Sequence, residues 1–173
     1  MVNFYDSFSF CYRCGSSLLQ RNDDSLICTS CSHVTYPNPS PCNAVFLEND
    51  KGEILLVKRG REPRKGTWDA AGGFIKPFEK YEESVKREIM EELSIEIDQI
   101  KIFGSYPDHY QFQGIDMATI SIFSSARISS SDILVGDDVS GYSFFSPDEA
   151  LELDLSFPSI KVALLDYIRM KSI

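Results

Sequence analysis

The sequence lacks any apolar run approaching the ~18 residues that a membrane helix needs, so no transmembrane segment is expected. It also lacks the start of a secretory leader. Residues 1–10, MVNFYDSFSF, hold no Lys or Arg and no apolar h-region, so no signal peptide is expected. A cytoplasmic setting follows, where thiols stay reduced unless a metal holds them. Positive charge is scarce too: 17 Lys and Arg stand against 26 Asp and Glu, a net charge of −9. Such a surface disfavours nonspecific contact with nucleic acid or anionic membrane, whose phosphates call for clustered Lys and Arg. Phosphate chemistry on an acidic protein requires bound cations. Repeats and low-complexity tracts are absent.

What is present suits a single domain with a small appendage. The chain has 173 residues, 43% of them hydrophobic, enough for a sizeable core. Five cysteines are strongly patterned. Cys11-x2-Cys14 and Cys28-x2-Cys31 form two knuckles with thirteen residues between them. Four thiolates at that spacing suit tetrahedral Zn²⁺. A segment of ~25 residues cannot bury a core of its own, so the metal acts as its staple. Two disulfides are the alternative, disfavoured without a secretory signal. His33 is read as a surface residue or a neighbour of the metal ligands. Cys42 is read as a small buried hydrophobe rather than a nucleophile. The ribbon's basic residues, Arg13 and Arg21, are cancelled by Asp23 and Asp24. That favours a structural or interface role over nucleic-acid binding.

Punctuation and periodicity divide the rest. The expected domains are 1–36, the zinc ribbon with its lead; 37–43, a Pro-rich linker; and 44–173, a larger domain. Ala44–Leu47 and Ile54–Val57 read as strands joined through the turn Asn49-Asp-Lys-Gly52. Lys80–Leu93 reads as a helix with Tyr81, Val85, Ile89 and Leu93 as its apolar stripe. Ile100–Tyr106, Met117–Ala126 and Tyr142–Phe145 read as strands, and Ser129–Asp138 as a loop. Ser146-Pro-Asp-Glu149 opens a short helix, and Ser159–Met170 is an amphipathic one. The fold class is α+β, a mixed sheet with helices on its faces.

The helix over 80–93 carries Glu88, Glu91 and Glu92 at i, i+3, i+4, on one arc of about 100°. Arg87 can pair with Glu91 or Glu83. Glu88 and Glu92 have no basic residue three or four positions away, so a divalent cation is the natural partner. Spacing alone does not separate this from a solvated acidic face, although such faces usually intersperse Lys.

The wider stretch, Gly73 to Ile95, reads GFIKPFEKYEESVKREIMEELSI. Gly73, Glu79, Arg87-Glu88, Glu91-Glu92 and the apolar positions around them resemble the signature box of the Nudix hydrolases. Every fixed position matches except the last Gly, which is Ser94. Gly66-Thr-Trp68 and Gly72-Gly73-Phe74 resemble the family's approach to the box, with Ala71 where a Pro is usual. The resemblance extends from about Ala44 to the C-terminus. It implies an α/β/α sandwich with a mixed sheet, and hydrolysis of a diphosphate bond. With the ribbon in front, the layout is similar to the NADH pyrophosphatase branch. That branch's downstream Ser-Gln-Pro-Trp-Pro-Phe-Pro run is missing, so NADH specificity is not implied.

The resemblance implies catalytic roles for Glu88, Glu91, Glu92, Arg87 and Glu79. It also implies Mg²⁺ or Mn²⁺ held by Glu88, Glu91, Glu92 and the Gly72 carbonyl, with Asp138 as a further acid by position. The residues themselves do not say which glutamate takes a water's proton. Arg59, Trp68, Gly73 and Phe74 are the expected substrate contacts. Lys58, Arg61 and Arg64 are further basic candidates, and Tyr106, Tyr110 and Phe112 further aromatic ones. The expected substrate is a nucleoside diphosphate linked to another moiety, like NAD(H) or ADP-ribose. The expected product is a nucleoside monophosphate. The alternative is a regulatory module that senses a nucleotide metabolite and meets a partner through its ribbon. Capped RNA stays open as a substrate against the charge argument, and a homodimer stays open as the assembly.

Overall fold

The computed structural model describes residues 7–128 and 132–172, without the side chain of Phe112. Two compact units divide them: residues 7–40 with 109–118, and residues 41–108 with 119–128 and 132–172.

In the first unit three short strands pair antiparallel: β1 (Leu19–Arg21), β2 (Leu26–Cys28) and β3 (Val34–Thr35). The sequence between the knuckles shows no strand periodicity, because pairs this short bury only Leu26 and Cys28.

The second unit is organised by β4 (Ser40–Glu48) and β5 (Ile54–Arg59). β4 begins three residues earlier than the expected linker end, so 40–43 are strand rather than joint; Pro41 is tolerated near a strand start. Both strands are apolar at consecutive positions because both faces are covered. Val45, Leu47, Leu55 and Val57 face one way, and meet Val85, Ile89 and Leu93 of α1 (Tyr81–Leu93). Ala44, Phe46, Ile54 and Leu56 face the other way, and meet Ile160, Ala163, Leu164 and Tyr167 of α3 (Pro158–Lys171). Period-two alternation thus assigns one helix to each face, giving the α/β/α sandwich.

The six-stranded sheet runs β6-β5-β4-β8-β7, with β6 (Trp68–Asp69), β7 (Lys101–Phe112), β8 (Ile115–Arg127) and β9 (Val139–Phe145) paired to β5. One edge of β5 takes β9 along its whole length. The opposite edge takes β4 at Ile54 and Leu55, then β6 at Val57 and Lys58. β4 and β5 therefore diverge, and the chain after β6 passes along β4 through the Val45–Ala71 and Cys42–Phe74 bridges. That passage delivers Gly72 and Gly73 to the face covered by α1. β7 and β8 extend beyond the expected 100–106 and 117–126, to the turn Gln113-Gly114, whose φ values of 51° and 78° suit a tight hairpin. A short α2 (Pro147–Ala150) opens on Ser146, whose Oγ accepts from Glu149 N–H. No helix among the described residues is long and apolar enough to cross a membrane.

Candidate functional site

Lys80 caps α1 in extended backbone, and its N–H donates to Glu83 Oε2 at 3.1 Å. Glu83 is therefore occupied at the helix start, and of the two helix partners open to Arg87 it is Glu91 that pairs. Arg87 also reaches back to Glu79, donating through Nε at 2.7 Å and Nη2 at 2.9 Å. Its Nη1 meets Glu88 Oε1 at 2.6 Å and Glu91 Oε2 at 3.3 Å. Nη2 also donates to the Phe74 carbonyl and Ser84 Oγ, both at 3.2 Å. Glu88 thus has a basic neighbour after all. Adjacent helical residues seldom face one another, and only the guanidinium's spread lets Arg87 touch both. Hydrogen bonding from Arg87 holds the Glu79 carboxyl down to about 2.

Glu92 is different. It is only partly exposed, and its Oε2 accepts from Gly72 N–H at 3.1 Å. Burial pushes its carboxyl up to about 8, opposed by the Gly72 bond and reinforced by the charges of Asp69, Glu88 and Asp138. Those three neighbours are each paired with an Arg of their own, Asp69 with Arg59, Glu88 with Arg87 and Asp138 with Arg61, whereas the hydrogen bond to Glu92 comes from a peptide N–H.

Glycine is required at the crossing. A Cβ on Gly72 would lie 2.3 Å from Asn43 O, and φ there is 144°. A Cβ on Gly73 would lie 2.7 Å from the Glu88 carboxyl carbon. The loop and the acids are in contact, with room for no side chain between them. The donor set here, carboxylate oxygens beside peptide carbonyls, suits a hard divalent cation. The three glutamates could hold one together with the loop, Glu91 being the most exposed of them, at 55%. Gly60 N–H donates to the Asp138 carbonyl at 2.8 Å, while the Asp138 side chain is exposed and pairs with Arg61 at 2.5 Å. Its charge bears on Glu92, but its carboxylate is engaged with Arg61.

The expected substrate contacts separate. Phe74 is 40% exposed, beside Arg87. Trp68 is partly buried, edge-on to Phe145 at 5.0 Å, with Lys58 Nζ 5.7 Å over its ring. Arg59 is engaged inward: Nη1 meets Asp69 at 2.7 Å, Nε donates to the Pro63 carbonyl, and the guanidinium covers Phe157. Tyr106 is core, its hydroxyl donating to Asp166. Arg64 donates to the Leu155 carbonyl at 3.3 Å. Tyr110 belongs to the first unit, and the Phe112 side chain lies outside the described residues.

Two residues escaped the sequence reading. Asn43 is buried; its N–H donates to Gly73 O and its Nδ2 to Ser84 Oγ, both at 2.8 Å, tying loop to helix. Asp69 bears on Glu92 and Cys42, and burial raises its carboxyl against the pull of Arg59. A lone polar residue bordering an apolar strand was the only signal for either. Cys42, by contrast, is a partly buried thiol pushed up to about 12 by burial and by Glu88 and Asp69, which keeps it protonated and poorly nucleophilic.

In the first unit, the sulfur atoms of Cys11, Cys14, Cys28 and Cys31 lie within 4.8 Å of one another. Cys11–Cys31 is 3.7 Å and Cys14–Cys28 3.6 Å, close to the ~3.8 Å edge of a tetrahedron with Zn–S of about 2.3 Å. The four cysteines are free thiols, and the cluster fits zinc. Among the described residues it is the one group of ligand atoms already so gathered; the three box glutamates are not.

A sandwich carrying an Arg-clasped acidic helix against a Gly-Gly loop defines a class, and the comparisons agree on it. The NUDIX domain model matches residues 40–165, and the chain belongs to that family. The NAD-capped RNA hydrolase NudC of Haemophilus influenzae (strain PittGG) is 35% identical over 108 residues, 61% of this chain and 40% of the relative. The match thus spans well under half the length of that relative. The MutT protein of Methanosarcina mazei Go1 superposes with a TM-score of 0.67 at 24% identity, over 80% of this chain and 100% of that one. The NUDIX domain of Shewanella oneidensis NrtR, complexed with ADP ribose, gives 0.65 at 18% identity, over 78% and 90%. Both structures share the fold.

Proposed function

We propose that this chain hydrolyses the pyrophosphate bond of a nucleoside diphosphate joined to a second moiety, of the NAD(H) or ADP-ribose kind. The carrying observation is Glu92, half-buried and accepting from Gly72 N–H beside Asp69, Glu88 and Asp138, on the same helix arc as Glu88 and Glu91. In this reading Mg²⁺ or Mn²⁺ would be held from among Glu88, Glu91, Glu92 and the Gly72 carbonyl, one of the glutamates being kept for proton transfer, and Asp138 would join them by releasing Arg61. The bound cation supplies neutralisation of the diphosphate and a more acidic water. Glu79 fixes Arg87, which orients Glu88. One of the three glutamates, left free, accepts the water's proton. The water oxygen bonds to one phosphorus, the bridging P–O bond breaks, and the leaving phosphate keeps the electron pair. Gly73 and Phe74 line the substrate side; Trp68 and Arg59 shape it from behind.

The chain further reads as a zinc ribbon, a short joint and a hydrolase domain, working in the cytoplasm where the ribbon thiols stay reduced. Mass spectrometry of native protein should find one zinc per chain. The printed activity of the Haemophilus relative adds NAD-capped RNA to the substrates worth testing.

The test is a panel of NAD, NADH, ADP-ribose, FAD, nucleoside triphosphates and an NAD-capped oligonucleotide, with Mg²⁺ and with Mn²⁺. Wild type should release a nucleoside monophosphate from at least one, and Glu92→Gln should lower that rate about 10²–10⁴-fold. Equal background rates for both proteins would end the hydrolase reading.

A further inference from the structure

Phe78 is wholly exposed, at 107%, and its φ of 66° lies in the left-handed region. Exposure alone would need no explanation, since single apolar side chains are common on surfaces. The combination does. A bulky side chain disfavours this backbone, and here it gains no burial in return. Among the described residues the other non-glycine residues with positive φ are Ser32, Arg64, Ser94, Gln99 and Gln113, all polar.

The local geometry shows what the chain gave up. Glu79 N–H donates to Lys76 O at 3.1 Å, closing a turn with Pro77 second and Phe78 third. Positive φ at the third position calls for Gly or Asn. Either would relieve the strain, and no packing would be lost. Packing within the described residues therefore does not account for the ring.

The turn is also fastened to the acidic helix. Lys76 N–H donates to Glu79 Oε2 at 2.9 Å, and Glu79 holds Arg87. Lys76 Nζ stands 3.8 Å from Glu91 Oε1. The ring is thus two residues along the same hydrogen-bonded turn from an ammonium group that pairs with a box glutamate. That pair is what holds an unpaired nucleotide: the ring stacks a base and the cation meets its backbone.

We propose that Phe78 is a specificity-determining residue that stacks a nucleobase of the diphosphate substrate. The proposal rests on the hydrolase reading. The base can come from a small dinucleotide-like substrate or from the RNA behind a nucleotide cap, and the test separates them.

Full-length wild type, Phe78→Gly and Phe78→Trp would be compared on NAD, ADP-ribose and an NAD-capped oligonucleotide. Three quantities are read: KM against kcat, affinity by calorimetry in a Glu92→Gln background, and Tm. Phe78→Gly should have a Tm at or above wild type, because its strain is gone. It should raise KM and weaken affinity about 5- to 100-fold with little change in kcat. Phe78→Trp should restore both. Weakening for NAD and ADP-ribose places the base in the small nucleotide, and weakening confined to the oligonucleotide places it in the RNA. Unchanged affinities for all three ligands overturn the proposal, as does a Trp variant as weak as the Gly variant. If wild type cleaves none of these nor any other member of the substrate panel, the hydrolase reading fails separately. The affinities still decide the stacking role, and a wild type that binds none overturns it.

Discussion

Arg87 is the residue on which the site turns. One guanidinium joins Glu79, Glu88, Glu91, Ser84 and the Phe74 carbonyl, so it fastens loop to helix alongside Asn43 and Glu92. Its pairing with Glu79 has a consequence for acid stability. The Glu79 carboxyl is held at about 2, below its ordinary 4.5, so the folded state favours the ionised form. The stabilisation is complete above the ordinary value and is lost as pH falls from about 4.5 toward 2. Glu79→Gln should therefore show a flatter loss of Tm across that window than wild type, measured by thermal melts in steps of pH. An equally steep loss in the variant would show that other carboxylates carry it. At this scale the sequence was legible in part. The three glutamates and Arg87 were readable from spacing, whereas the Arg87–Glu88 contact between adjacent residues was not. Asn43 was illegible because its two partners, Gly73 and Ser84, lie far along the chain.

At the scale of elements, α1 is fixed at both ends by different means. Its start is capped by Glu83, and its end by left-handed Ser94, whose N–H returns to Met90 O at 3.1 Å. Ser94 takes, at φ 56°, the conformation for which the family's pattern has Gly. The last carbonyls of the helix are met by a loop: Leu134 N–H donates to Leu93 O at 3.1 Å and Gly136 N–H to Glu92 O at 2.8 Å. That same loop ends at Asp138, so the helix end positions the acid proposed above as a further ligand. The junction has no slack, since a Cβ on Gly136 would lie 2.1 Å from Glu91 O. Gly136→Ala should destabilise the protein by about 1–3 kcal/mol, as overpacking does elsewhere, and lower turnover with it. Chemical denaturation reads the first and the substrate panel the second; a variant of wild-type stability would mean that the loop stands clear of the helix. The elements themselves were readable from periodicity because β4, β5, α1 and α3 are long and patterned. The docking of an aperiodic loop on a helix end leaves no such mark.

For the whole molecule, the four-thiol cluster and the acidic helix belong to separate compact units. α1, α2 and α3 all lie in the second unit, while the described residues of the first hold β1 to β3 and the ends of β7 and β8 next to their hairpin turn, and no helix of the three. Removing the ribbon metal should therefore leave the helical circular dichroism signal at 222 nm near its starting value while the cysteines become reactive to a thiol reagent. Loss of the helical signal in step with metal release would show instead that the NUDIX domain depends on the ribbon.

The sequence by itself determined the two long helices, the apolar strand pair and the four cysteines at metal-binding spacing, which the 3.6 and 2.0 residue periods and the C-x2-C pattern carry locally. The sandwich and the glutamate box were legible through their resemblance to a family. Tertiary structure decided which acids are neutralised and which are not. Charge at Glu92 depends on burial, on Gly72 N–H and on Asp69 and Asp138, residues brought near only by the divergence of β4 and β5 and the docking of the 134–138 loop. It also turned Arg59 inward toward Asp69 and left Phe78 outward on a strained turn. Coulomb interactions and desolvation act through space, and no spacing rule along the chain encodes them.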